Sequence, residues 1–99
     1  MRHHCSVIRH TVLLKFVDET DAAEAALRLD SLRGRVPALL SLSVALDVTH
    51  GDGSYHLVLV TTHVDLPALG AYAADPAHLD VLEWLRPRLS ARAVVDSLE

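Results

Sequence analysis

The chain has 99 residues, of which 51% are hydrophobic and 22% charged, the composition of one ordinary globular domain. Its net charge is −4 at pH 7 with no basic cluster, which argues against a surface that follows nucleic-acid phosphates. No apolar run approaches the length of a membrane span, so a membrane protein is not expected either.

The hydrophobic pattern predicts four strands and three helices. Residues 1–6 have no period and are predicted to be an N-terminal extension to a domain over residues 7–98. Alternation predicts strands over residues 6–17, 41–49, 55–64 and 91–98, with a glycine-containing turn making the middle two a hairpin. Helical spacing predicts helices over residues 18–34, 65–74 and from Asp75–Pro76 to about Arg86.

This order of elements predicts an α+β fold, namely a ferredoxin-like antiparallel sheet backed by helices. The third strand has apolar residues on both faces, with Tyr55, Leu57 and Leu59 on one and Val58 and Val60 on the other. Helices can cover only one face, so a second sheet is expected to cover the other. The sequence therefore predicts a two-fold homodimer.

The last helix carries a histidine inside its apolar stripe. Helical spacing from Pro76 places His78 on the same face as Val81, Leu82 and Leu85, in the first turn. The positive end of a helix and burial among leucines both disfavour imidazolium, so we expect a lowered pKa and a neutral ring. The Asp75 carboxylate would act in the opposite direction. A neutral imidazole is the form that a general base needs.

A tyrosine lies one tight turn before that histidine. Tyr72 falls in the last turn of the preceding helix, where its hydroxyl can approach the His78 imidazole. One interpretation is structural, with a Tyr–His hydrogen bond that closes the helix corner. The other is chemical, with a base and a hydroxyl donor converging on an apolar cavity suited to enolate chemistry. His10, a third polar ring on an apolar strand face, favours a pocket.

Four segments together resemble the Dabb family, the stress-responsive α/β-barrel domain, over residues 7 to 98. They are VIRHTVLLKF, GDGSYHLVLV, LGAYAADPAHLDVLEWLRP and AVVDS. The resemblance implies a dimeric α+β barrel with a pocket between each sheet and its helices. Some members are polyketide cyclases, which perform a cofactor-free aldol condensation with a tyrosine and a histidine. Tyr72 and His78 occupy the matching positions, and His10 matches a pocket-lining histidine.

The resemblance therefore implies a small-molecule site without a metal or another cofactor. His78 is predicted to remove a proton between two carbonyls, while Tyr72 donates a hydrogen bond to the enolate. The expected ligand is a small apolar or polyketide-like molecule. The first helix offers Ala25, Ala26 and Leu29 where the cyclases have aromatics, which predicts a wider cavity. The predicted pocket residues are His10, Val12, Leu14, Leu29, Leu57, Leu59, Leu82 and Leu85.

Two alternatives stay open at this point. The broader group includes oxygenases that act on a quinol or an anthrone, and their reaction also begins with substrate deprotonation. The protein could instead be a non-catalytic, stress-associated dimer. A metal site at His3, His4 and Cys5 is not expected, because real sites draw on rigid elements. The single cysteine also excludes an internal disulfide and favours a cytoplasmic location.

Overall fold

A computed structural model describes residues 7–99, so the predicted N-terminal extension lies outside the described residues. In chain order the elements are β1 (Ile8–Phe16), α1 (Asp21–Asp30), β2 (Ser41–Leu46), β3 (Leu57–His63), α2 (Leu66–Ala74), α3 (Pro76–Leu85) and β4 (Leu89–Leu98). The four strands form a single antiparallel sheet with the order β2-β3-β1-β4. The α+β ferredoxin-like architecture is confirmed.

Alternation along β1 separates the two faces of the sheet. Val12, Leu14 and Phe16 are buried beneath the helices, as the period of two predicts. Strand register extends this face to the neighbours, because Val12 pairs with Leu59 on β3 and with Val94 on β4. Most of the apolar core lies between this face and the helices.

The opposite face of the sheet has no cover within the described chain. Leu13 is 37% exposed, and the register places it between Val58 on β3 and Ala93 on β4. Two residues back along β1, on the same face, Thr11 lies between Val60 and Val95. The predicted second apolar face is therefore present and open to solvent in the single chain.

A carboxylate caps the first turn of each of the helices α2 and α3. Asp65 accepts a hydrogen bond from Ala68 N at 2.8 Å, and Asp75 accepts one from Ala77 N at 2.8 Å. Asp75 follows the end of α2 and is the N-cap of α3, with Pro76 in the first turn. The two helices thus meet at a sharp corner, with the end of α2 close to the start of α3.

Several predicted boundaries differ from the observed ones. Helix α1 ends at Asp30 rather than at residue 34, because turns follow it up to Gly34, whose φ is 78°. Strand β4 begins at Leu89, two residues early, after a 3₁₀ turn over Arg86–Arg88 that accommodates Pro87. None of the helices within residues 7–99 is long and apolar enough to cross a bilayer.

Candidate functional site

A cavity of about 260 Å³ lies between the sheet and the helices. Its walls are mainly leucine and valine side chains, and its polar groups come from three helical segments and two strands. Nine of the ten predicted site residues line it, and they are His10, Val12, Leu14, Leu29, Leu59, Tyr72, His78, Leu82 and Leu85. Strand alternation and helix spacing place these side chains on the faces that border the cavity.

Leu57 is the exception among the predicted pocket residues. It is buried, but it belongs to the apolar core rather than to the cavity wall. It is the first residue of β3, beside the hairpin, and lines a separate depression there with Tyr55 and Leu46. The period of two gave the correct face of the strand, but it carries no information on how far along the strand a cavity extends.

Tyr72 and His78 are in contact, with ring centroids 4.4 Å apart and ring planes inclined by 44°. The predicted Tyr–His hydrogen bond is wrong, because the Tyr72 hydroxyl is buried without a hydrogen-bond partner among residues 7–99. The corner is closed instead by His78, whose Nδ1 donates to the carbonyl oxygen of Ala73 at 3.0 Å. A nitrogen that donates to a carbonyl carries the proton, so in the neutral ring Nε2 is the unprotonated nitrogen.

Burial lowers the pKa of His78, as the sequence led us to expect. The hydrogen bond to Ala73 and the Asp75 carboxylate oppose this shift, while positive charge at His10 and Arg92 adds to it. Burial also raises the pKa of Tyr72 to about 12, against the smaller opposing effect of Arg92. The site therefore pairs a neutral imidazole with a protonated phenol at neutral pH.

His63 also belongs to this cluster, although it was not among the predicted site residues. Its buried ring lies 4.9 Å from that of Tyr72. Its Nδ1 donates to Ala38 O at 2.8 Å, and its Nε2 accepts from Thr61 Oγ1 at 2.9 Å. Burial lowers its pKa. The available signal was alternation along β3, which places Thr61 and His63 on the same face as Leu59.

His10 lies at the edge of the cluster, where the resemblance placed it. Its ring centroid is 6.2 Å from that of Tyr72 and 6.4 Å from that of His63. Its Nδ1 donates to Asp96 Oδ1 at 2.5 Å. Asp96 is the direct partner of His10 in the β1–β4 register, so strand pairing fixes this contact.

Two arginines on the cavity wall were also missed. Arg86 falls outside the apolar stripe of α3, and Arg92 pairs with Leu14 across the β1–β4 register. Arg92, together with His10, Tyr72 and His78, also lines an adjoining open depression of about 420 Å³. Alternation along the final strand places Arg92 on the same face as Val94 and Asp96, but only the register of β4 shows that this face borders the cavity.

The chain matches the family described as the stress responsive A/B barrel domain, Dabb, over residues 8–98. It belongs to the Dabb family. No curated protein matches the sequence. Within residues 7–99 of this Dabb domain, no group of three or more His, Cys, Asp or Glu side chains is placed to hold a metal ion. His3, His4 and Cys5 lie outside the described residues.

Solved structures with the same fold include proteins of different description. A dimeric protein of unknown function and ferredoxin-like fold from Bacteroides fragilis superposes with a TM-score of 0.86 at 20% identity, covering 98% of this chain and 100% of that one. A Dabb family protein from Mesorhizobium loti gives 0.77 at 15%, covering 94% and 96%. The hydroxynitrile lyase of Passiflora edulis gives 0.82 at 11%, covering 97% and 95%. At these identities the likeness shows the fold alone.

Proposed function

We propose that this Dabb domain is a cofactor-independent enzyme that performs acid–base chemistry on a small carbonyl compound. The favoured reaction is an aldol-type cyclisation of a polyketide-like substrate, with His78 as the base and Tyr72 as the hydrogen-bond donor. The observation that carries the proposal is the bond from His78 Nδ1 to Ala73 O, which leaves Nε2 able to accept a proton. Beside it, a buried phenol hydroxyl has no partner among the described residues.

In the proposed reaction, Nε2 of His78 removes a proton from the carbon between two carbonyls. Tyr72 donates a hydrogen bond to the resulting enolate oxygen. The enolate carbon then attacks a second carbonyl of the same molecule, a carbon–carbon bond forms, and the new alkoxide takes the proton back from His78. The apolar wall, which includes Leu29, Leu59 and Leu82, would fold the chain so that the two carbons meet.

The same proposal includes a homodimer formed through the open face of the sheet. Leu13, Val58 and Val60 form an apolar band there that nothing in residues 7–99 covers. The related structure from Bacteroides fragilis is described as dimeric, which supports this assembly. A sheet from a second copy would bury the band and complete a barrel. A cytoplasmic location stays a prediction from the single cysteine, Cys5.

The test is turnover of linear β-polyketones by the wild-type protein and by His78→Asn. Asparagine can keep the hydrogen bond to Ala73 through its amide nitrogen, but it cannot take up a proton. We expect a loss of about 10²- to 10⁴-fold in rate, the usual contribution of a general base. His50→Gln, at an exposed histidine outside the cavity, is the matched control and should be fully active.

Full turnover by His78→Asn would overturn the assignment of the base. The same assay run under nitrogen separates cyclisation from oxygenation, because only an oxygenase needs dioxygen. Formation of the cyclised product at an unchanged rate without oxygen is the expected result. A product that disappears under nitrogen would mean that the protein is an oxygenase of a quinol- or anthrone-like substrate.

A further inference from the structure

Arg92 places a positive charge at the rim of the apolar cavity. It lies on the edge strand β4, opposite Leu14, and it lines both the cavity and the adjoining depression. Arg9, Arg28 and Arg33 each form an ion pair with a nearby carboxylate. Within residues 7–99, neither of the two cavity arginines, Arg86 and Arg92, is in an ion pair.

The acidic group on the same side of β4 is already engaged. Asp96 accepts the hydrogen bond from His10 Nδ1 at 2.5 Å. Arg92 shares the walls of the cavity and of the adjoining depression with Tyr72 and His78. Its positive charge adds to the lowering of the His78 pKa, and it opposes the burial that raises the pKa of Tyr72. The charge therefore lies on the wall of the space that the substrate would occupy. An arginine in this position is suited to bind an anionic group of that substrate.

We propose that the natural substrate carries a carboxylate at one end and that Arg92 binds it. The inference rests on the proposed function, because it specifies the substrate of the same site. A guanidinium holds a carboxylate through two parallel hydrogen bonds, which fixes orientation as well as position. With the carboxylate at the rim, the apolar or carbonyl-bearing chain would extend between Leu29 and Leu82 and pass His78.

A carboxylate fits this rim better than a phosphate does. Both groups bind a guanidinium through the same oxygen chemistry. The phosphate carries nearly two negative charges at neutral pH, and Asp96 lines the adjoining depression and would repel the second charge. A single negative charge is balanced by Arg92, while Arg86 supplies further positive charge elsewhere on the cavity wall. The site therefore favours a monoanion.

The test is calorimetric binding of octanoate, 1-octanol and octyl phosphate, which share one chain and differ in the head group. We expect the wild-type protein to bind octanoate about tenfold more tightly than octanol, because a charged, hydrogen-bonded pair near solvent strengthens binding by about that factor. Arg92→Gln should bind octanoate and octanol equally. Arg35→Gln is the matched control, because Arg35 is exposed and outside the cavity and the substitution removes the same charge. Added NaCl should weaken octanoate binding but not octanol binding.

Equal octanoate affinity for the wild-type protein and a folded Arg92→Gln would overturn the inference, as would failure of octanoate to bind the wild-type protein. Tighter binding of octyl phosphate than of octanoate would overturn the assignment to a carboxylate. The two proposals fail separately, because octanoate binding needs no proton transfer. Turnover by His78→Asn decides the chemistry, while the head-group preference decides the role of Arg92.

Discussion

Replacing Tyr72 by phenylalanine should make the protein more stable and less active. The side chain is only 1% exposed, and its hydroxyl has no hydrogen-bond partner in the part of the chain that the structure describes. The ring packs against His78 at 4.4 Å and against His63 at 4.9 Å, and phenylalanine keeps both contacts. The substitution therefore removes a buried polar group and changes little else.

The size of the effect follows from the cost of burying a hydroxyl without a hydrogen bond. That cost is about 1–3 kcal/mol in proteins. Tyr72 borders a cavity of about 260 Å³, which is large enough to admit water, so the lower end of the range applies. A gain of about 1 kcal/mol in the free energy of unfolding corresponds to an increase of about 4–8 °C in Tm for a domain of this size.

The assay is urea denaturation and thermal unfolding at one fixed protein concentration, since a dimer's stability depends on concentration. Tyr55→Phe is the matched control, because Tyr55 is half-buried and not part of the cavity, and its Tm should hardly change. Turnover by Tyr72→Phe should fall by about 10²- to 10³-fold, as expected for loss of an oxyanion donor. A decrease in stability would mean that the hydroxyl is hydrogen-bonded in solution, and the reasoning would then be wrong.

Three further outcomes follow from the structure. Turnover should fall in acid with a midpoint below pH 6.5, because burial lowers the pKa of His78. Tyr72, with a pKa of about 12, should cause no loss of turnover just above neutral pH. An acid midpoint above pH 6.5 would contradict this prediction. The free energy of unfolding should be greatest above pH 6.5 and should decrease as the pH falls toward the lowered pKa of His63, because the unfolded chain takes up the proton first. Urea titrations at several pH values measure this dependence. If His63→Gln showed the same dependence on pH as the wild-type protein, the assignment to His63 would be refuted. Leu13→Lys, on the open sheet face, should give monomers in sedimentation analysis. Val48→Lys, at an exposed position in the β2–β3 loop, is the control and should remain dimeric. A dimeric Leu13→Lys would mean that the interface lies elsewhere.

The fold could be predicted from the sequence because local signals agreed with the tertiary structure. Alternation in β1 and capping by Asp65 and Asp75 act over a few residues, and the packed sheet uses the same faces. The boundaries were less accurate where two signals competed. Residues after Asp30 keep helical spacing, yet they form turns, because the chain must reverse toward β2 within a few residues.

The site was harder to predict because it is made by contacts between distant segments. Helix spacing was enough to place His78, and the tight turn between the two helices was enough to bring Tyr72 close to it. Recognising His63 and Arg92 required the strand register, which brings β3 and β4 to either side of β1. A single sequence contains the alternation of each strand but not the register between strands. The face of the sheet on which these two side chains lie could therefore be predicted, whereas the residues next to them could not.

The hydrogen bond from His78 to the Ala73 carbonyl underlies both the structural role of His78 and its proposed catalytic role. The last carbonyl groups of a helix lack partners within it, and Ala73 lies in the final turn of α2. His78, in the first turn of α3, satisfies that carbonyl because Asp75 and Pro76 turn the chain sharply between the two helices. The donated Nδ1 proton then leaves Nε2 as the basic nitrogen. A corner stabilised in this way would orient a general base without any further group to select its tautomer.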